Sequence, residues 1–211
     1  MNAATQAFAA RKAKLAADIK SNDSPVGLAK DTSNLFRDRK QQGKRHLDVR
    51  AFNHVLEVNV EQGWVDVEGM TPYDVLVEQT LKYGVMPAVV PQLKSITIGG
   101  AVAGVGIEAS SFKFGLVHDT IVEIEVLAGN GEIVIARPDN EHRDLFFGFP
   151  NSYGTLGYAL RVRARTVRVK PYVELHHRQY ASAYKCFAAL RELGESDVDF
   201  LDGVVFDRDQ M

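Results

Sequence analysis

Apolar and polar residues alternate along several stretches of the chain, which is the pattern of a half-buried β-strand. The clearest cases are residues 121–127, where apolar and acidic residues alternate, and residues 158–169, where Arg161, Arg163 and Arg165 share one face. The second pattern predicts a strand with a charged, half-exposed outer side. Further strands are predicted at residues 46–49, 55–60, 64–67, 132–135 and 199–206, and residues 85–90 are predicted to re-enter the core.

Two short turns are predicted to close hairpins between these strands. Gln62-Gly63 separates the second and third of the shorter strands. Asn130-Gly131 follows residues 121–127 and favours a type I′ turn, which needs positive φ at both central positions.

Three other stretches have helical spacing. Residues 1–20 are rich in alanine and broken by charged side chains, which predicts an amphipathic helix on the surface. A second helix is predicted with Thr71 as N-cap, Pro72 as its first residue and Gly84 as its stop. A third is predicted over residues 180–193, again ended by a glycine.

Strands with interspersed helices are typical of an α+β fold. The last predicted strand is followed by only a few residues, and no later element closes the fold. We therefore expect that the chain is truncated before or within a further domain.

The composition is that of an ordinary soluble globular protein, with 45% apolar and 25% charged residues among 211. The formal net charge of −2 gives no general attraction to nucleic acid. No stretch approaches the roughly twenty apolar residues of a membrane span, and the N-terminus lacks the apolar core of a signal peptide. We expect a cytoplasmic protein, with a transit peptide as the alternative. The single cysteine, Cys186, excludes an intramolecular disulfide and a cysteine-built metal site.

Four glycines among small residues make residues 95–111 the most informative segment. Glycines leave room for backbone N–H groups to converge on an anion, and nearby hydroxyls add donors. The spacing matches neither the G-x-G-x-x-G of a Rossmann fold nor a Walker A loop. The residues alone leave two interpretations, an anion-binding loop and a buried turn where two backbones pack closely. The glycines and hydroxyls are Gly99, Gly100, Gly104, Gly106, Thr97, Ser110 and Ser111.

A second glycine cluster, Ser-Tyr-Gly-Thr-Leu-Gly, occupies residues 152–157 just before a predicted strand. Such a turn can place Thr155 and backbone amides against a ligand. Local evidence alone favours an ordinary tight turn.

In combination and in this order, these motifs resemble the FAD-binding (PCMH-type) domain of the vanillyl-alcohol oxidase/p-cresol methylhydroxylase flavoproteins. Within that superfamily the sequence is most similar to the 24-dehydrocholesterol reductase (Diminuto-like) branch. The resemblance extends from about residue 46 to the end of the sequence. It is carried by residues 96–100, 104–111, 113–115, 144–146, 154–157 and 200–203.

The resemblance implies two α+β subdomains with FAD between them. We expect an N-terminal helical extension, two FAD-binding subdomains and the start of a substrate domain. Their predicted ranges are residues 1–25, 26–92, 93–172 and 173–211, respectively.

The resemblance further implies that residues 97–109 wrap the FAD pyrophosphate and ribityl chain, that residues 154–160 approach the flavin and adenine, and that residues 32–37 face the same region. Many relatives attach flavin covalently through a histidine or cysteine in the last of these loops, which here has neither. We therefore predict non-covalent FAD. The predicted cofactor-binding residues are Thr97, Ile98, Gly99, Gly100, Ala101, Gly104, Gly106, Ile107, Glu108, Ser110, Ser111, Gly115, Thr32, Ser33, Asn34, Arg37, Gly154, Thr155 and Gly157.

The branch suggests reduction of a carbon–carbon double bond, with NADPH as hydride donor and a small hydrophobic substrate. The alternatives are a flavin-dependent alcohol oxidase or dehydrogenase, a FAD-binding fragment without activity of its own, and a non-flavin protein that kept the fold. No catalytic residue or metal site is predicted. His118 lies where it can approach the flavin, although a structural role is favoured, and the adjacent His176 and His177 make a poor chelate.

Overall fold

The computed structural model describes residues 3–30 and 43–205. The predicted cofactor-binding residues Thr32, Ser33, Asn34 and Arg37 lie outside the described residues. None of the helices within these two ranges is long and apolar enough to cross a membrane. In chain order the elements are α1 (Ala3–Lys20), β1 (Val26–Ala29), β2 (Arg45–Asp48), β3 (Val55–Asn59), β4 (Trp64–Glu68), α2 (Tyr73–Leu81), β5 (Val85–Pro87), α3 (Ile98–Gly104), α4 (Ser111–Phe114), a 3-10 helix (Val117–Thr120), β6 (Ile121–Leu127), β7 (Ile133–Ala136), α5 (Arg143–Gly148), β8 (Tyr158–Arg168) and α6 (Ala183–Gly194).

Strand β8 organises the main sheet because it pairs with three other strands. The order is β3-β4-β8-β6-β7, every pair is antiparallel, and β5 pairs with the end of β8. Strands β1 and β2 form a separate parallel pair. This arrangement confirms the predicted α+β class. The main sheet is continuous across residue 92, and the subdomain boundary there stays a prediction.

The main core lies on one face of this sheet, beneath α2 and α3. Val65 and Val67 of β4 are fully buried there together with Leu76 of α2 and Ile98 of α3. Truncating such a buried leucine or isoleucine to alanine typically costs about 2–5 kcal/mol. The core therefore fixes α3 firmly against the sheet.

The N-terminal helix α1 covers the opposite face of the sheet. Phe8, Leu15 and Ile19 are buried and pack in one cluster with Leu127 and Leu160. The predicted helix is confirmed, but it forms a packed layer and not only a surface element.

The prediction of a charged outer side on β8 is wrong for Arg161, whose exposed fraction is only 8%. Its guanidinium binds Asp66 at 2.8 Å, Glu125 at 3.1 Å and also Glu123. Glu125 lies opposite Arg161 in the β6–β8 register, whereas Asp66 and Glu123 lie opposite Arg163, two positions along β8. Lys12 of α1 also binds Glu125. Burial acts to lower the pKa of Arg161, but the three carboxylates outweigh burial and raise it.

The predicted start of helix α2 and the predicted turn at residues 130–131 differ in detail from the structure. Helix α2 has Pro72 as its N-cap, because Thr71 is used elsewhere: its hydroxyl donates to the His54 carbonyl. Of Asn130 and Gly131, only the glycine has positive φ, so the turn is not type I′.

The predicted C-terminal strand is also absent from residues 199–205, the part of it that the structure describes. The N–H of Leu201 donates to the Ala109 carbonyl at 2.8 Å, but no ladder of strand hydrogen bonds follows. The remaining strand predictions and the stop at Gly84, whose φ is 69°, are confirmed within a residue or a few.

Candidate functional site

The glycine-rich segment folds as the short helix α3, and not as the open loop that its composition predicts. Thr97 is the N-cap, and its hydroxyl accepts a hydrogen bond from the Gly100 N–H at 3.3 Å. The N–H of Ala101 donates to the Thr97 carbonyl. A local cap and the buried apolar face of α3 thus outweigh the low helix propensity of glycine, which is about 1 kcal/mol per residue.

The first two amides of α3 are committed to the fold. The N–H of Ile98 donates to the Thr71 carbonyl at 3.0 Å, and the N–H of Gly99 donates to the Gly69 carbonyl at 2.9 Å. An anion near α3 must therefore be met by other donors than these two.

Close internal packing accounts for several of the predicted glycines. A Cβ on Gly99 would lie 2.7 Å from the Gly69 oxygen, and one on Gly157 would lie 2.5 Å from the Leu127 oxygen. Both obstacles are backbone atoms, which cannot move aside cheaply. A Cβ would also lie within 3.0 Å of a neighbouring side chain at Gly106 and Gly115.

Other glycines of the two clusters have space in front of them. A Cβ on Gly154 would meet nothing within 4 Å, and one on Gly104 would meet only a Tyr153 ring carbon at 3.6 Å. Gly100 is exposed, and a Cβ there would meet only the Thr97 hydroxyl, at 3.0 Å. This open face, formed by Gly100, Gly104 and Gly154, is where a ligand can approach the backbone.

The structure brings the two glycine clusters together through Tyr153. Its N–H donates to the Ala103 carbonyl near the end of α3 at 3.1 Å, and its hydroxyl lies 3.4 Å from the Gly104 carbonyl. Two segments about fifty residues apart in sequence therefore form one surface.

Unusual backbone conformations concentrate at this junction. Among the described residues, the non-glycine residues with positive φ are Val105 at 61°, Asn151 at 60° and Tyr153 at 49°. All three lie at the end of α3 or in the turn beside it. Such conformations cost on the order of 1–3 kcal/mol each and cluster at binding and catalytic sites.

Two buried polar atoms beside the junction have no protein hydrogen-bond partner, the Ser152 hydroxyl and the Nδ1 of His118. His118 follows Val117, whose N–H donates to the Gly106 carbonyl at 2.9 Å. Buried polar groups normally have partners, so these atoms indicate a ligand or water. With the open glycine face, they fit the phosphate and polyol groups of the FAD that the resemblance implies.

Glu108 follows α3 in the chain and lines a cavity of about 430 Å³. Its carboxylate accepts a hydrogen bond from the Gln92 N–H at 3.2 Å, and the Gln92 side chain donates to Asp202 at 3.0 Å. Burial, reinforced by the charge of Asp202, raises the pKa of Glu108. The cavity is lined by Gln92, Leu93, Ile96, Ile107, Glu108, Ala109, Leu201 and Asp202.

The two carboxylates make this cavity a poor place for a pyrophosphate, since like charges repel in a partly desolvated site. The described lining carries no lysine or arginine to offset them. Glu108 and the exposed Ile107 border this cavity, and none of the glycines of the open face lines it.

The predicted hydroxyl donors have protein partners. Ser110 donates to the Ala88 carbonyl at 2.8 Å, and Thr155 donates to the Ser152 carbonyl at 2.8 Å. The Ser111 hydroxyl accepts from the Glu108 N–H at 2.9 Å. Contact of these residues with FAD stays a prediction.

Sequence reasoning missed Val105, Ser152 and Tyr153 as site residues. Glycine spacing marked their neighbours, but positive φ at a valine or tyrosine has no signal in a single sequence. Across residues 3–30 and 43–205, no group of three histidine, cysteine, aspartate or glutamate side chains is placed to hold a metal ion.

Comparison with known proteins identifies the family of the chain. A family model described as a FAD binding domain matches residues 12–137. The sequence is 32% identical to the Delta(24)-sterol reductase of Pisum sativum over 169 residues, which cover 77% of this chain and 30% of the relative. The Homo sapiens Delta(24)-sterol reductase is 29% identical over 157 residues, covering 74% and 30% of the two chains.

A relative with a different name is also similar. Cytokinin dehydrogenase 1 of Arabidopsis thaliana is 26% identical over 169 residues, covering 79% of this chain and 28% of the relative. The chain thus spans about 30% of the length of the curated relatives it matches.

Proposed function

Since the chain belongs to the FAD-binding domain family, we propose that it is the FAD-binding part of a flavin-dependent oxidoreductase and holds the cofactor at the open glycine face. The observation that supports this placement is the hydrogen bond from the Tyr153 N–H to the Ala103 carbonyl. It joins two glycine clusters that are far apart in sequence into one surface, beside unpaired buried polar atoms.

The residues at this surface bind and orient the cofactor. Gly104 and Gly154 let the phosphate and ribityl groups approach the backbone without a Cβ in the way. The Ser152 hydroxyl and the His118 imidazole supply hydrogen bonds that the protein leaves unmade. When bound, FAD supplies the redox chemistry, while the protein fixes its position and surroundings.

FAD uptake by the purified chain tests this placement. Gly104→Ala adds one methyl group to the open face and meets only a tyrosine ring carbon at ordinary contact distance. We expect it to weaken FAD binding about tenfold, measured by quenching of flavin fluorescence, without loss of thermal stability. Gly194→Ala is the matched control, because Gly194 also ends a helix and its Cβ would meet only Phe112 at 3.7 Å and Leu201 at 4.0 Å.

A chain that takes up no FAD would contradict the proposed function. If the chain binds FAD and both alanine variants bind it equally well, the family assignment stands but the open glycine face is the wrong site.

For the reaction, we propose reduction of a carbon–carbon double bond in a small hydrophobic substrate, with NADPH as hydride donor. The names of the pea and human relatives, Delta(24)-sterol reductase, support the reduction. The NADPH donor rests on the resemblance of the sequence to that branch. The name of the Arabidopsis relative supports the alternative, a flavin-dependent dehydrogenase that oxidises its substrate.

Anaerobic mixing of the FAD-loaded protein with NADPH distinguishes the two reactions. Bleaching of the flavin absorbance by NADPH, faster than that of free FAD, is expected for a reductase. Bleaching by an alcohol or amine donor but not by NADPH would favour the dehydrogenase. Bleaching by neither would mean a FAD-binding fragment without activity of its own.

A further inference from the structure

The carboxylate of Glu68, at the end of β4, is fully buried and contacts two other parts of the fold, α1 and His54. It binds the Arg11 guanidinium of α1. It also accepts a hydrogen bond from the backbone N–H of His54 at 2.9 Å. The same carboxylate oxygen lies 2.8 Å from the ring Nδ1 of His54. Glu68 is 0% exposed, so its charge is tolerated only while these partners stay in place.

The same residues are tied together by backbone hydrogen bonds. The Glu68 N–H donates to the His54 carbonyl at 2.9 Å, and the Thr71 hydroxyl donates to that carbonyl at 3.3 Å. Residues 68–71 are therefore held against His54 from both ends.

Helix α3 begins on this segment. The Gly69 carbonyl accepts from the Gly99 N–H, and the Thr71 carbonyl accepts from the Ile98 N–H. Gly99 and Gly69 are in close backbone contact, so the two segments cannot move closer together. A shift of residues 68–71 must therefore move the start of α3.

We propose that Glu68 is a positioning residue for the cofactor site: by clamping α1 and His54 it fixes residues 68–71, on which α3 and the open glycine face depend. Docking of α1 and binding of FAD are then coupled, although α1 lies on the opposite face of the sheet. The coupling is reciprocal, so bound FAD also tightens the docking of α1. This inference rests on the proposed function for its FAD part only.

Glu125 supplies a matched control within the same molecule. It is 3% exposed and is also bound by α1, through Lys12. Among the described residues its other partner is Arg161, and it makes no hydrogen bond to His54 or to residues 68–71. Replacing either glutamate by glutamine loosens α1 in a similar way, but only one of them holds the segment below α3.

The first measurement needs no FAD. In Glu68→Gln, the amide hydrogens of Ile98 and Gly99 are expected to exchange at least about fivefold faster than in the parent chain, while in Glu125→Gln they do not. The second measurement is FAD affinity, expected to fall about fivefold or more in Glu68→Gln and less than twofold in Glu125→Gln. Glu68→Asp, which keeps the charge, is expected to recover part of both effects.

Arg11→Met and Lys12→Met repeat the comparison from α1, where both side chains are partly exposed. Arg11→Met is expected to weaken FAD binding more than Lys12→Met. Equal effects within each pair, or unchanged exchange at Ile98 and Gly99 in Glu68→Gln, would overturn the positioning role. If the parent chain binds no FAD, but Ile98 and Gly99 still exchange faster in Glu68→Gln than in the parent, only the proposed function is contradicted.

Discussion

Arg161 and Asp66 form a 2.8 Å ion pair in which both side chains are about one-tenth exposed. The arginine also binds Glu123 and Glu125, so one cation is shared by three buried acids on neighbouring strands. Such a group contributes little net stability as a whole, because desolvation offsets the attraction. Removing the shared cation is strongly destabilising, because the acids then stay buried with fewer partners.

We predict that Arg161→Met lowers the free energy of unfolding by about 3–5 kcal/mol. Arg165→Met, on the same strand but exposed, is the control and is expected to change it by at most about 0.5 kcal/mol. Urea unfolding followed by circular dichroism measures both. Similar losses in the two variants would show that the buried charge cluster does not need its arginine.

The contact of Gly99 with Gly69 gives a second prediction. Gly99→Ala places a methyl group 2.7 Å from a backbone oxygen, so α3 must shift away from residues 68–71. We expect a loss of about 1–3 kcal/mol in the free energy of unfolding, as for other overpacked sites. Gly104→Ala, in the same helix but with only an ordinary contact, is expected to be neutral or slightly stabilising.

Local features of this fold could be predicted from the sequence, and features set by distant contacts could not. The alternation in β6 and the stop at Gly84 depend on neighbouring residues alone, and both were predicted. The burial of Arg161 comes with contacts to Asp66, Glu123 and Glu125, which lie about 36 to 95 positions away along the chain. A charged face that another element covers has the same local pattern as one that faces water.

The candidate site likewise has local features that the sequence predicts and features set by distant contacts that it does not. Glycine spacing marked residues 97–106 and 152–157, because small residues are visible in any sequence. The helical form of α3 was missed, since its stability comes from the Thr97 cap and from burial of Ile98. The junction through Tyr153 was missed because a backbone hydrogen bond to Ala103 leaves no trace in side-chain chemistry.

The raised pKa of Glu108 predicts a pH dependence of stability. Burial makes ionisation of this carboxyl less favourable in the folded chain than in the unfolded chain, where the pKa is about 4.3. The folded state therefore loses stability as the pH rises from the unfolded pKa of about 4.3 through the higher pKa of the folded state. Glu108→Gln does not ionise and can still accept the Gln92 N–H, so it should be more stable than the parent at neutral pH. The gain should disappear in acid.

Thermal unfolding of both proteins across this pH range measures the difference. Glu174→Gln is a suitable control, because Glu174 is exposed and pairs only with His176 among the described residues. An advantage of Glu108→Gln that persists unchanged in acid would show that the effect is not ionisation.

The last prediction concerns how FAD is attached. Residues 32–37 contain neither histidine nor cysteine, and Cys186 lies in α6, so we predict that FAD is held without a covalent bond. Acid precipitation of the FAD-loaded protein should leave the yellow colour in the supernatant. His118 is the histidine to check, since its Nδ1 has no protein partner and its neighbour Val117 is hydrogen-bonded to Gly106 at the end of the glycine-rich segment. Colour that stays in the pellet of the parent chain but not of His118→Ala would contradict the prediction and identify the attachment point.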